Sequence, residues 1–348
     1  MNNSYEQGRE APLPYKRMRN PFTICLIALL AMLIFSLAIG SVYIPPAELW
    51  HVVTGVASNE TFRTILVNIR LPRTALIALV GAALAGSGAA YQGLFRNPLA
   101  DPYLIGVASG AGLGAVIALS VDWPYTTLGL LAVPLAAFIA GLLTVYIVYI
   151  LAHIGGSVPT TNLILAGVAV SSFATSLTSF LMLRSTGEAR RAIGWLLGGV
   201  SLVSWEATLA LIPYLAIGLT TLILAGYALN LLQFGDDQAM QMGLNVGRAK
   251  IIIIVAASLV SAAAVSFAGI IGFVGLVVPH IVRIWWGVDY RRLIPLSIIG
   301  GAAVLLFADI LARVVLAQRE LPVGIVTALA GAPFFIWVLR RAKNQGLW

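Results

Sequence analysis

Charged side chains are scarce in this sequence. They make up 10% of its 348 residues, against about a quarter in an ordinary soluble domain. Cysteine occurs once, at Cys25 inside an apolar run, which excludes an internal disulfide framework and any paired-thiolate metal site. The three histidines, His51, His153 and His280, lie far apart and form no HExxH. With no GxSxG elbow either, the hydrolytic and metal-dependent enzyme classes lose their usual starting points. No GxxxxGK[ST] occurs, so the chain does not bind ATP through a Walker A loop. What fills the chain is apolar, 60% of all residues. A soluble core of this length cannot bury so much, and the class is an all-α integral membrane protein. The net charge of +8 is spread between apolar runs rather than gathered in one patch. It reads as membrane topology, and no nucleic-acid partner is expected.

Ten apolar runs can be marked, at 22–43, 71–94, 103–120, 125–152, 160–183, 206–231, 249–270, 272–287, 293–314 and 321–341. The first is too long for a signal-peptide core and shows no small-residue cleavage site. The basic residues Arg9, Lys16, Arg17 and Arg19 precede it. This divides the chain into a cytoplasmic basic tail (1–20), a single polytopic domain (21–342) and a short tail (343–348), with both termini cytoplasmic. On that map thirteen lysines and arginines lie inside and eight outside, a weak bias of the expected sign. All eight outer ones are arginines. Spacing alone leaves open whether they anchor helix ends at lipid headgroups or hold carboxylates in bidentate pairs.

The stretch Ile69 to Gly114 organises the rest. Its apolar run Leu71–Leu94 carries small residues at helical spacing, Gly81, Ala85 and Ala89 on one row and Ala82, Gly86 and Ala90 beside it. Such rows let backbones approach closely in lipid, so this helix is expected to be surrounded by others. Non-helical backbone is expected at Gly106, Gly110, Gly112 and Gly114 and at Gly269, Gly272 and Gly275, covered by protein or by a water-filled cavity. The segment 187–205 is too interrupted by glycine for a full span and reads as a partial helix at the outer mouth. Residues 71–183 and 249–341 repeat the order long, short, long, long from opposite sides, the pattern of inverted repeats.

Two regions carry candidate chemistry. The run Thr160–Leu183 holds Ser171, Ser172, Thr175, Ser176, Thr178 and Ser179. At about 100° per residue these six hydroxyls span an arc of roughly 160°. They either bond helix carbonyls and neighbouring helices or line a polar solute path. The loop at about 230–250 holds Asp236 and Asp237, suited to a short helix start, and Gly243, suited to its end. Ala239, Met240 and Met242 would give that helix an adaptable apolar contact surface. Asp101 suits a local backbone bond between its prolines, Asp309 a pair with Arg313, and His280 a packed position.

The string Arg70-Leu71-Pro72-Arg73-Thr74, then GAALAGSG, then Arg96-Asn97-Pro98-Leu99-Ala100-Asp101-Pro102 resembles the FecCD-type permeases. GFVGLVVPHIVR (272–283), ADILAR (308–313) and LPVGIVTALAGAPFFIWVL (321–339) look like the same family. These are membrane subunits of type II ABC importers for iron–siderophores, haem and vitamin B12. The resemblance implies about ten transmembrane helices in inverted-repeat halves and a place in a prokaryotic cytoplasmic membrane. It implies a second permease subunit, identical or homologous, two ATPase subunits inside and an extracytoplasmic solute-binding protein outside. No enzyme activity and no cofactor are expected in this chain, with ATP and Mg on the partner ATPase. Arg70, Arg73 and Arg313 match positions that grip acidic residues of the binding protein. Asp236, Asp237, Ala239, Met242 and Gly243 match the loop that couples to the ATPase. The fifth helix is similar to the one lining the translocation path, which places Ser172, Thr175, Ser176 and Ser179 along it. The expected cargo is a metal chelate, a ferric siderophore first, with vitamin B12 or haem as alternatives. A stand-alone secondary transporter would call for ion-coupling carboxylates at mid-membrane.

Overall fold

The computed structural model describes residues 20–40, 42–54, 60–124, 126–153, 158–184, 189–200, 203–316 and 320–344. The basic tail from Arg9 to Arg19, Arg319 and the final residues 345–348 lie outside the described residues. Among the described residues all regular structure is helical. In order the helices are α1 (Pro21–Ala38), α2 (Pro46–Thr54), α3 (Glu60–Thr64), α4 (Leu71–Leu94) and α5 (Val107–Leu119). Then follow α6 (Thr127–Ala152), α7 (Thr160–Arg184), α8 (Ala189–Leu196), α9 (Trp205–Leu224) and α10 (Gly226–Leu232). The last are α11 (Asp236–Gln241), α12 (Val246–Ala268), α13 (Val274–Trp286), α14 (Tyr290–Val314) and α15 (Val323–Asn344).

Each apolar run of the sequence is largely helical; the run 206–231 is two helices divided at Ala225, and the run 103–120 is a 3-10 turn and α5 divided at Gly106. The polar stretch before α4 is more helical than its composition implied. Helix α3 continues through a π-helical turn, Ile65–Arg70, directly into α4. Pro72 lies just beyond that turn. Proline offers no N–H to the carbonyl four residues back and its ring crowds that carbonyl, so a widened turn there accommodates it.

Helix α4 is the centre, packed by α14, α12, α13 and α9. Both rows of small residues, Gly81, Ala85 and Ala89 with Ala82, Gly86 and Ala90, are buried. They bring backbones into contact. A Cβ placed on Gly81 would stand 2.3 Å from the Gly301 carbonyl oxygen of α14, and one on Gly88 would stand 1.9 Å from that of Gly275 in α13. Helices α4 and α14 are antiparallel, with Arg73 beside Asp309 at one end and Gly93 beside Tyr290 at the other.

The two halves repeat. Helices α4 to α7 have 24, 13, 26 and 25 residues, and α12 to α15 have 23, 13, 25 and 22. Their packing corresponds too: α4 meets α13 and α14 as α12 meets α5 and α6. The opening helices run in opposite senses. Tyr91 Oη near the end of α4 lies 2.7 Å from Ser258 Oγ, and Arg96 beyond α4 meets Asp236, the partner of Lys250 near the start of α12. That is an inverted-topology repeat.

The 13-residue helices α5 and α13 are each about 20 Å long at 1.5 Å per residue, short of a hydrocarbon layer of about 30 Å. Breaks in helical backbone precede both, and the breaks cover each other. Tyr103 Oη donates to the Ile271 carbonyl at 2.9 Å, and Pro102 packs against Gly275. Protein thus covers the non-helical backbone, as the bilayer requires. One expectation is corrected here. Gly110, Gly112 and Gly114 are inside α5 and Gly275 is inside α13, so only Gly106 stands in the first break and Gly269 and Gly272 in the second. Gly110 and Gly114 serve close packing on α6, against Ala136, Ala140 and Thr144, rather than an interruption.

Candidate functional site

At one end of the bundle the three arginines singled out in the sequence converge. Arg70 leaves the π-helical turn and is 5% exposed. Its guanidinium donates to the carbonyls of Leu37 at 2.5 Å, Ala38 at 2.9 Å and Val42, which closes the C-terminal end of α1. Arg73, one turn on, donates from Nε and Nη2 to Asp309 Oδ1 at 3.1 and 3.0 Å, and from Nη1 to Glu320 Oε2 at 2.6 Å. Arg313 holds the other oxygen, Asp309 Oδ2, at 3.0 Å from Nε, and donates to Ser36 Oγ and the Ser36 carbonyl. Asp309 is fully buried between two guanidinia. A carboxylate without water is tolerable only when paired and bonded in this way. The i, i+4 spacing made the Asp309–Arg313 pair legible in the sequence. Glu320 and Ser36 carried no such signal.

A cavity of about 210 Å³ is lined by all three arginines with Gly40, Val42 and Glu320. A second, of about 740 Å³, has Trp123, Trp195, Asp122 and Arg191 in its wall. Arg73 and Glu320 line both. Helix α8, the partial helix expected near the outer mouth, seats Trp195 against Ala111, Ala115, Ala137 and Val265.

Along α7, the residues Leu163, Gly167, Ala174 and Thr178 are buried. The opposite face exposes Ser172, Thr175, Ser176 and Ser179, with Leu165, Val168 and Leu183 in line above and below. Ser172 and Ser179 donate to the carbonyls of Val168 and Thr175 four residues back. Two of the hydroxyls thus bond their own helix while all four remain on an exposed face. Ser171 lies at the side, near Gly106.

The opposite end carries α11. Pro21 of α1 and Asn344 of α15 lie toward this end too, since α1 finishes, and α15 begins, beside the arginines. Asp236 opens α11 and pairs with Lys250 of α12 and, at 3.7 Å, with Arg96. It joins three elements rather than only capping one. Asp237 is exposed, and Gly243, at φ +87°, closes the turn in a left-handed conformation with open space around it. Met240 and Met242 are about half exposed, at 53% and 51%. Ala239 is fully buried, which corrects its expected place on a contact surface: its small side chain lets α11 lie down on the bundle. Nearby, the Asn230 amide donates to Asp289 at 2.6 Å and holds that carboxyl below the usual carboxylate range. Asp101 Oδ1 accepts from the Tyr103 N–H at 2.8 Å, and the His280 ring meets Phe334 edge-on.

The model of the FecCD transport family matches residues 28–341. The chain is 45% identical over 288 residues to the cobalamin import system permease protein BtuC of Halobacterium salinarum, covering 83% of this chain and 76% of that protein. It is 38% identical over 321 residues to the iron(3+)-hydroxamate import system permease protein FhuB of Bacillus subtilis, covering 92% and 82%. Among solved structures, an inward-facing conformation of a metal-chelate type ABC transporter is similar, with TM-score 0.81 and 28% identity over 92% of this chain and 98% of that one.

Proposed function

We propose, since this chain belongs to the FecCD transport family, that it is the permease subunit of a type II ABC importer that moves a metal chelate across a prokaryotic cytoplasmic membrane. Two copies, or this chain and a homologue, face each other across the path. Two ATPase subunits dock on the α11 face, where the chain ends are cytoplasmic, and a solute-binding protein docks at the arginine end. The observation that carries this reading is the exposed hydroxyl face of α7. Ser172 and Ser179 bond their own helix, but lipid offers no partner to Thr175 and Ser176, so that face suits water or another subunit.

The physical work divides accordingly. ATP and Mg are bound by the partner ATPase, whose motion reaches this chain through α11. Asp236 ties α11 to α12 and to the end of α4, so displacement of the loop tilts the helices as rigid bodies. The uncharged hydroxyls of α7 contact a bulky polar chelate weakly, and affinity resides in the binding protein. We assign a ferric siderophore as cargo, which suits an uncharged hydroxyl face. The likeness to a cobalamin permease favours a corrinoid as the second reading.

Reconstitution tests the assembly. Proteoliposomes holding this chain, its ATPase and its binding protein are expected to accumulate ferric hydroxamate only with internal ATP. Accumulation by the chain alone would overturn the proposal, and accumulation of cyanocobalamin but not ferric hydroxamate would reassign the cargo. Replacing Met240 and Met242 together by Asp is expected to weaken ATPase association at least tenfold, about 1.4 kcal/mol, as read by co-purification. Unchanged association would remove α11 from the interface. On a Cys25→Ser background, cysteines at Ser172 and Ser176 are expected to react with a water-soluble maleimide in the assembled transporter, while one at Ala174 stays protected. Equal protection of all three would dissociate α7 from the path.

A further inference from the structure

Three guanidinia and two carboxylates meet at the arginine end, and the two carboxylates differ. Asp309 is wholly buried, held by Arg73 and Arg313, and has no route to leave. The Glu320 side chain is 52% exposed and holds only the Nη1 edge of Arg73, at 2.6 Å. Arg70 is bonded to backbone carbonyls, and among the described residues it has no carboxylate partner. The cluster therefore keeps one positive charge in excess. The cavity of about 210 Å³ opens on this excess, with Glu320 in its wall. It is narrow: a Cβ on Gly40 would already stand 2.9 Å from Arg70 Nη2 and 3.3 Å from Arg313 Nη1. A single carboxylate side chain fits its chemistry.

We infer that Glu320 is a built-in placeholder, occupying on Arg73 the position that a carboxylate of an acidic protein partner takes on docking. This rests on the docking role of the arginines proposed above. Without Glu320, Arg73 would present the Nη1 edge of its guanidinium unpaired, on a side chain only 12% exposed. With it, the arginine is held in one geometry by Asp309 and Glu320, and the pair closes the wall between the two cavities. An incoming carboxylate exchanges for Glu320, one charge-assisted pair for another. The net gain per contact is small, which suits a partner that must leave in every cycle. The apparent affinity is reduced by the fraction of time Glu320 occupies the arginine. Glu320 thus sets how tightly the partner binds without touching it in the docked state.

The test uses the purified permease–ATPase complex in nanodiscs and the solute-binding protein encoded with it, with affinity measured by biolayer interferometry at fixed ionic strength. Glu320→Gln is expected to tighten binding roughly five- to tenfold, and Glu320→Asp, one methylene too short to hold Nη1 in place, to fall between it and the wild type. Unchanged or weaker binding by Glu320→Gln, with docking still lost in the Arg70→Glu/Arg73→Glu variant, overturns the placeholder and leaves the docking role standing. Wild-type binding by the double-arginine variant overturns the docking role itself. Glu320→Gln leaves Arg73 paired with Asp309, so a monodisperse complex is expected in that arm. The double-arginine variant strands the buried Asp309, so the docking role is also read on the wild-type complex at raised ionic strength, where unchanged affinity overturns it.

Discussion

Gly88→Leu is expected to leave no folded transporter. The Cβ of any residue there would stand 1.9 Å from the Gly275 carbonyl oxygen and 2.6 Å from its carbon. These are backbone atoms and cannot rotate away. Helix α4 is buried against α12, α13, α14 and α9, so it cannot shift from α13 without losing the other contacts. Overpacking costs about 1–3 kcal/mol where side chains can adjust, and more where backbone must move. Against a total stability of about 5–15 kcal/mol, a leucine at the crossing removes the native packing. Gly88→Ala brings the same Cβ against the same backbone and is expected to lose folded protein too, though less completely than leucine. Gly272→Ala, with open space around the position, is the control and should match the wild type. Fluorescence-detected size exclusion and thermal unfolding in detergent read all three. A monodisperse, transport-competent Gly88→Leu protein would refute the packing account of α4.

The second large effect belongs to Asp309. Its removal strands the guanidinium of Arg313, which is 7% exposed, and leaves Arg73 with Glu320 as its remaining carboxylate. Breaking a buried ion pair from one side costs about 3–5 kcal/mol, because the remaining charge stays desolvated, whereas replacing both partners by apolar groups is often near neutral. Asp309→Leu is therefore expected to destabilise the protein by that amount. The Asp309→Leu/Arg313→Met pair should recover most of the loss, though not all, because Arg73 then keeps only Glu320 of its two carboxylates. Denaturant unfolding in mixed micelles, arranged as a double-mutant cycle, measures the coupling directly. Additive losses, or an Asp309→Leu variant within about 0.5 kcal/mol of the wild type, would mean that the arginines do not depend on this carboxylate.

The same end of the molecule shows where sequence reasoning stops. The sequence groups Arg70, Arg73 and Arg313 as one set, and the structure brings them together; the Asp309–Arg313 spacing announces a pair. Their partners Ser36 and Glu320 belong to elements far away in the chain, and no periodicity connects position 73 with position 320. The hydroxyl stripe of α7 was visible as a 100° pattern, while its exposure depends on which neighbours cover the other face. The glycines of α5 were misread as breaks for a related reason. Glycine marks either an interruption or a close crossing, and only the presence of α6 against Gly110 and Gly114 distinguishes them. Ala239 reads from the sequence as part of an apolar contact surface with Met240 and Met242, yet the bundle beneath α11 takes it inward.

Composition and periodicity by themselves determined that this is a bundle of helices built for lipid, with ten apolar segments, a small-residue spine at Gly81 to Ala90 and two matching halves. Those properties are local, since apolar length and small-residue spacing act within one helix or across one contact. The tertiary structure alone decided that the π-helical turn leads into α4, that the two backbone breaks shield each other through Tyr103 and Ile271, and that one buried carboxylate holds two arginines while an exposed one shares Arg73. The last two need groups distant in the chain to be brought within about 3 Å, the distance at which a hydrogen bond or ion pair acts. A sequence pattern carries no information at that range until the helices have packed.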